Sequence, residues 1–307
     1  MRNAFADEIT KLASSDPRIV LLSGDIGNKL FDNFKNNYKN RFYNCGIAEA
    51  NMMGVAAGMA MSGLRPVIYT ITPFTTTRCF EQIRVDVCYH KVPVTIVGTG
   101  SGLSYAELGP THHSLEDLAI LRTLPDLNVT APCDANELRS ILRETFSQDL
   151  PTYIRIGKKG ETSIHEVPPP LKIGKSIKIK DGDDLLFIVT GTIAGEVLLA
   201  TDLLREKGIG AAAVSMHSIK PLDNDFLSSL QGNYKLVITV EEHGLIGGLG
   251  SAVAEWRSRN KANFIHHMIG TPDEFMHETG SQDYARRKYG LKADQIANDA
   301  SIVLLAL

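Results

Sequence analysis

The sequence predicts an α/β fold of two three-layer α/β/α domains with mainly parallel sheets, and three observations carry that prediction. Short apolar runs rich in β-branched residues alternate with Ala- and Leu-rich helical patterns. The rhythm breaks once, across 164–184, where three consecutive prolines and Lys/Gly-rich polar sequence cannot continue a helix or a central strand. It then resumes, and 307 residues leave room for two domains that each bury a core. The expected division is a first domain over 1–163, a linker over 164–182 and a second domain over 183–307.

In order, the expected strands of the first domain are 18–23 (RIVLLS), 65–71 (RPVIYTI), 92–98 (VPVTIVG), 127–132 (LNVTAP) and 151–156 (PTYIRI). Those of the second are 185–191 (LLFIVTG), 210–216 (GAAAVSM), 235–242 (KLVITVEE) and 263–269 (NFIHHMI), with a final helical run to Leu307. Ligands of such sheets sit beyond the carboxyl ends of the strands. That singles out 23–25, 43–49, 70–74, the loop 98–113 and 240–250.

The bulk composition narrows the class. A chain with 43% hydrophobic and 22% charged residues and a net charge of −3 reads as a globular protein with no reason to bind nucleic acid. Cys45, Cys79, Cys88 and Cys133 have no CxxC spacing, so neither a zinc site nor a redox pair is suggested, and a reducing cytoplasm fits them. No run of 18 apolar residues occurs, so neither secretion nor membrane spanning is expected.

One segment raises a chemical question. In 43–63 (YNCGIAEANMMGVAAGMAMSG), Glu49 is the only charge. A helix from there places Ala50, Gly54 and Gly58 at four-residue spacing, with Ala57 and Met61 on the neighbouring ridge, a flat face able to approach another surface closely. Interior glycines cost roughly 0.5–1 kcal/mol each, so the packing they permit must outweigh that. Glu49 itself is either a first-turn carboxylate favoured by the helix dipole or a buried group available for proton transfer. The helix alone leaves both readings open.

Three further segments bear on it: "GIAEANMMGVAAGMAMSGLRPVIYTITPF", "FEQIRVDVCYHKVPVTIVG" and "GPTHHSLEDLAILRTLPDLNVTAPCDANEL". In order and spacing they resemble the pyrimidine-binding domain of thiamine diphosphate enzymes of the transketolase group. "FIVTGTIAGEVLLATDLLREKGI" and "TVEEHGLIGGLGSAVAEW" resemble that group's C-terminal domain. The resemblance implies that Glu49 bonds N1′ of the aminopyrimidine and promotes proton removal from thiazolium C2, which then attacks a ketose carbonyl. It further implies that Phe74 stacks on the pyrimidine, that His112 faces the thiazolium and substrate oxygen, and that Asp25, Ile47 and Ile71 lie around the cofactor. His113, Lys158 and His243 are expected near the substrate, with Glu242 beside the last.

The family's diphosphate-binding "GDG" is missing. The resemblance therefore implies the C-terminal half of a split transketolase, with Mg²⁺ and diphosphate ligands on an N-terminal partner subunit. The expected assembly is α2β2, its own copies meeting through both domains and the Glu49 helix at an interface. Substrate selection is expected to depart from the ordinary. Leu108 stands where sugar-phosphate transketolases carry an Asp, 98–104 (GTGSGLS) where they carry a phosphate-binding histidine, and Lys158 near a phosphate-binding arginine. An unusual ketose, a branched or modified sugar donor, or a larger acceptor is the implied substrate.

Three other readings suit the same residues. One is a 1-deoxyxylulose-5-phosphate synthase-like activity, although the arginine those enzymes carry three residues after the stacking Phe is here Thr77, with Arg78 one place on. Another is the beta chain of a 2-oxo-acid dehydrogenase, which reductive acylation of lipoyl groups would reveal. The third is a non-catalytic scaffold, which would bind no thiamine diphosphate even with the partner present.

Overall fold

The structure, a computed structural model, describes residues 1–27 and 29–307. Among the described residues there are twelve strands. They are β1 (Ile19–Ser23), β2 (Phe42–Asn44), β3 (Arg65–Ile71), β4 (Thr95–Thr99), β5 (Asn128–Thr130), β6 (Thr152–Ile156), β7 (Ile177–Lys180), β8 (Leu185–Thr190), β9 (Ala211–Ser215), β10 (Ser218–Lys220), β11 (Leu236–Gly244) and β12 (Ile265–Thr271). They form one sheet in the order β10-β5-β6-β4-β3-β1-β2 and another in the order β12-β11-β8-β9-β7, parallel except for β10 and β7. The α/β class with mainly parallel sheets is what the alternating pattern predicts.

Alternation along each strand explains the layers. Leu21, Val67, Tyr69 and Val97 point to one face, where they pack with residues of the helices Arg2–Ser15 and Ala135–Phe146. Their neighbours Leu22, Ile68 and Ile96 point to the other, toward Met52, Met53 and Ala56 of the helix Glu49–Met61. In the second sheet Phe187, Ile238 and Val240 meet Val197 and Ala200 of the helix Ala194–Glu206, while Leu186, Ile188 and Val237 meet Val253 and Trp256 of the helix Leu249–Asn260. Strands buried on both faces read as continuous apolar runs, which is why eight of the nine expected strands are visible in the sequence; the ninth, β12, is a partly exposed edge strand.

The three strands that the pattern does not reveal are edges. β2 is largely exposed and three residues long. β7 lies inside the stretch read as linker and pairs antiparallel with β9, its lysines suiting an edge position. β10 leaves the second domain to pair antiparallel with β5 of the first. Leu103, Ala106 and Cys133 of the first domain also join the apolar core of the second.

Within the first sheet, the chain leaves β1 for β2 on one side and then returns to β3 on the other. Strand order thus reverses between β1 and β3, the point at which such sheets form a ligand crevice beyond their carboxyl ends. The helix Glu49–Met61 begins beside that crevice. Its buried stripe is Glu49, Met52, Met53, Ala56, Ala57 and Ala60, the spacing of one helical face. Ala57 therefore belongs to the core, whereas Gly58 and Met61 of the flat small-residue face are exposed and Ala50 and Gly54 half-buried.

Candidate active site

Glu49 is the first residue of its helix and only 2% exposed. A Cβ added at Gly24, at the end of β1, would lie 2.9 Å from Thr70 Oγ1 and 3.4 Å from Glu49 Cγ. The carboxyl group is thereby fixed at the point where strand order reverses, beside a Thr70 hydroxyl that has no hydrogen-bond partner in the structure. A buried carboxylate needs a counter-charge or donor. Arg78 supplies it, with Nη1 donating to Glu49 Oε2 at 2.8 Å.

Phe74 is delivered by a single helical turn, Thr72–Thr75, that starts directly at the end of β3 with Pro73 in its first positions. The hydroxyls of Thr75 and Thr76 donate to the Thr72 carbonyl and lock the turn. The Arg78 guanidinium lies 4.2 Å from the Phe74 ring centre. One planar N–H group thus stacks on Phe74 while bonding Glu49, and its side chain remains 45% exposed. An aminopyrimidine offers the same two features, a flat ring and a nitrogen that meets a carboxyl group, so these residues fit that group.

From Phe74 the contacts run on to the loop after β4. His112 meets Phe74 edge-on with ring centres 5.3 Å apart, and Tyr105 lies 5.9 Å beyond His112. Thr111 Oγ1 sits 2.9 Å from His112 Nδ1. Lys158, just after β6, holds its ammonium 4.3 Å over the Tyr105 ring and pairs with Glu107. Glu49, Phe74, His112 and Lys158 are therefore brought together through Arg78, Tyr105 and Glu107. Leu108 is exposed at the same turn.

The remaining candidates occupy other places. Asp25 is exposed and accepts from Asn44 Nδ2 at 2.9 Å, tying the β1 turn to β2; Asn44 Oδ1 in turn accepts from the Gly46 amide. Ile47 is 82% exposed and Ile71 half-buried at the crevice. His113 is buried and lines a cavity of about 470 Å³ with Glu116, Ile246 and Phe275; burial pushes its proton affinity down. His243 is enclosed in the seam between the domains, where Nδ1 donates to the Gly244 carbonyl and burial lowers its pKa to about 4. No contact joins it to Glu49, Phe74 or His112 among the described residues.

Glu242 is also a seam residue. Its carboxylate accepts from the Leu103 amide, Gln282 Nε2 and Arg286 Nε, clamping the loop after β4 to the second domain. A side chain at Gly102 would collide with that carboxylate, and one at Gly100 with the Tyr105 ring. Two glycines of "GTGSGLS" are thus demanded by packing. Deeper in the seam, Asp117 Oδ2 accepts from Tyr153 at 2.6 Å and Arg155 Nε at 2.9 Å, and Arg155 Nη2 donates to the carbonyls of Ser114 and Glu242.

Residues 1–160 match the pyrimidine-binding domain of transketolase, and residues 174–296 match the transketolase C-terminal domain. The chain belongs to the transketolase family. It is 35% identical to one subunit of the apulose-4-phosphate transketolase of Phocaeicola vulgatus, over 97% of this chain and 96% of that one. It is 33% identical to a 6-deoxy-6-sulfo-D-fructose transketolase subunit of a Clostridium species, over 98% and 93%. Among solved structures it superimposes on a split-gene transketolase described as an inactive beta4 tetramer, with a TM-score of 0.89 and 34% identity over 99% and 97% of the two chains.

This transketolase chain carries the pyrimidine-binding and C-terminal domains. Family membership implies use of thiamine diphosphate. Sequence reasoning missed the part played by Arg78, Tyr105 and Glu107. A usable signal existed for Arg78: a cation close behind Phe74 and a lone acid at the head of an apolar helix are natural partners. None existed for Tyr105, which a loop carries to His112.

Proposed function

We propose that the chain is the pyrimidine-side subunit of a thiamine diphosphate-dependent transketolase that moves a two-carbon ketol unit from a non-standard ketose to an aldehyde. The observation that carries this is the buried Glu49 carboxylate bonded to a flat cation stacked on Phe74. When bound, the cofactor supplies a thiazolium carbon nucleophile and an electron sink. Glu49 exchanges a proton with the pyrimidine nitrogen after Arg78 swings aside, and Phe74 holds the ring flat. Ile47 and Ile71 would line the space around it, and Asp25 ties the β1 turn to β2. His112, lying against Phe74, handles the proton of the substrate oxygen.

The cation near a phosphate-binding position, Lys158, is already paired with Glu107, and the Leu108 side chain offers no acceptor to a hydroxyl. Both features support a donor that differs from an ordinary pentose phosphate, and the two relatives named for unusual sugars support the same reading. His113 and His243, being enclosed, act on the shape of the loop and seam. We place Mg²⁺ and the diphosphate on a partner chain, in an α2β2 assembly whose two kinds of chain meet across the crevice. The domain division at 164–182 is part of this proposal.

Coexpression with a chain carrying the diphosphate-binding domain tests it. Turnover is expected only with both chains, thiamine diphosphate and Mg²⁺, and faster with a branched or modified ketose than with xylulose 5-phosphate and ribose 5-phosphate. Equal or better kcat/KM with the ordinary pair would overturn the substrate reading. Absence of ketol transfer from every donor by a cofactor-loaded pair would overturn the catalytic one.

The exposed small-residue face gives a separate expectation. A Cβ at Gly58 meets open space within the chain, and replacing a helix-interior glycine adds helix propensity of up to about 1 kcal/mol. Gly58→Leu should therefore leave the chain at least as stable to heat, yet weaken its association at least tenfold by light scattering or sedimentation. Unchanged assembly would remove this face from the interface.

A further inference from the structure

Apart from the crevice, a second set of polar side chains converges where the two domains join. Cys133 follows β5, Glu137 lies in the first turn of the helix Ala135–Phe146, and His165 stands on the connecting segment. One donor atom from each, sulfur, oxygen and nitrogen, lies within 4.8 Å of the other two. His165 Nε2 is buried without a hydrogen-bond partner, 3.7 Å from Glu137 Oε1. That is too long for a hydrogen bond. It is close to the separation of two ligands on one tetrahedral ion with bonds of about 2.0–2.3 Å.

The three donors are held in place from outside. The Asp134 side chain caps the helix through Oδ1 and accepts from the backbone amides of Ile164 and His165 through Oδ2, at 2.8 and 2.7 Å. Asn136 Nδ2 donates to the His165 carbonyl at 2.8 Å, so the segment bearing the imidazole is fastened on both sides. The Glu137 carboxylate accepts from the Cys133 amide at 2.5 Å and from Ser215 Oγ, in the second domain, at 2.8 Å. Outer contacts of this kind orient metal ligands.

A second orphan lies beside them. His217 is fully buried between β9 and β10, and neither ring nitrogen has a hydrogen-bond partner. Burial, the largest influence, lowers its proton affinity and Glu137 raises it, but its nitrogens are not among the donor atoms that converge within 4.8 Å. Hydrogen bonding within the chain accounts for the carboxylate, while His165 Nε2 has only the longer ion pair with Glu137, which raises its proton affinity, and His217 has no hydrogen-bond partner.

We propose that Cys133, Glu137 and His165 form a three-residue metal site at the domain joint. A mixed sulfur, nitrogen and carboxylate set is one that zinc accepts. On binding, the Cys133 thiol releases its proton to solvent and bonds as thiolate, and His165 binds as neutral imidazole. Burial and the neighbouring carboxylates push the free thiol's pKa up; a divalent ion reverses that balance. The site ties together both domains and the segment between them, apart from the cofactor crevice.

The test uses the full chain, stripped with a chelator and titrated with zinc chloride against a chromophoric competitor. One zinc per chain is expected, with affinity falling at least tenfold in Cys133→Ser and in His165→Ala and unchanged in His90→Ala, an exposed control. Cobalt(II) should give a thiolate charge-transfer band in the near ultraviolet that is lost in Cys133→Ser. If that variant fails to fold, the cobalt spectrum of the native chain and zinc binding by His165→Ala, whose side chain is on the connecting segment, decide. Substoichiometric zinc, or full affinity in His165→Ala, would overturn the site.

Discussion

Glu49→Gln should reduce kcat of the assembled two-chain enzyme by at least a hundredfold while leaving the chain folded. The substitution preserves shape and leaves an oxygen able to accept from Arg78, so the crevice keeps its form. It removes the acidic proton through which the carboxyl group acts on the pyrimidine nitrogen. Proton transfer by a positioned group contributes typically 10²–10⁴ in rate. A mere first-turn role would forfeit only about 0.3–1 kcal/mol of helix stability and leave turnover nearly intact. Steady-state kinetics with thiamine diphosphate titration, beside circular dichroism of the variant, separates the two; near-native kcat would withdraw the role assigned to Glu49.

Asp117→Ala should produce the largest loss of stability of any single change in the seam. Asp117, Tyr153 and Arg155 are all buried, and the guanidinium ties the loop carbonyl of Ser114 to the Glu242 carbonyl of the second domain. The pairing with Arg155 holds the Asp117 carboxyl below its ordinary range against the opposing pull of burial. Removing one member leaves a buried, uncompensated charge, which costs about 3–5 kcal/mol. Replacing both ions by apolar groups does not. Asp117→Ala should thus lower the melting temperature by about 5–10 °C, and Arg155→Met added to it should recover much of the loss. A single-variant effect below about 1 kcal/mol by denaturant titration would show that the network does not hold the seam.

The sequence reveals what is buried on both sides. Apolar runs mark the eight interior strands and the longer edge strand β12, whereas β2, β7 and β10 are edge strands of three or four residues with no such run. Glu49 and Phe74 are legible through the resemblance of the segments that carry them, since the helix alone leaves the role of Glu49 open. The partner of Glu49 is not, since the pairing with Arg78 depends on where the turns after β3 happen to point. Likewise, "GTGSGLS" reads only as a small, polar stretch in place of a phosphate-binding histidine until the Tyr105 ring and the Glu242 carboxylate are seen to require its glycines. Cys133, Glu137 and His165 give no metal signature because the third donor comes from the connecting segment, outside any regular spacing.

β10 gives the two-domain division a different meaning. Its three residues belong by chain order to the second domain, yet their hydrogen bonds cover the edge of the first sheet at β5. A fragment ending in the connecting segment would expose the amides and carbonyls of β5 to any passing strand. The compositional break therefore marks where the chain changes sheets, and the two halves share responsibility for keeping that edge closed.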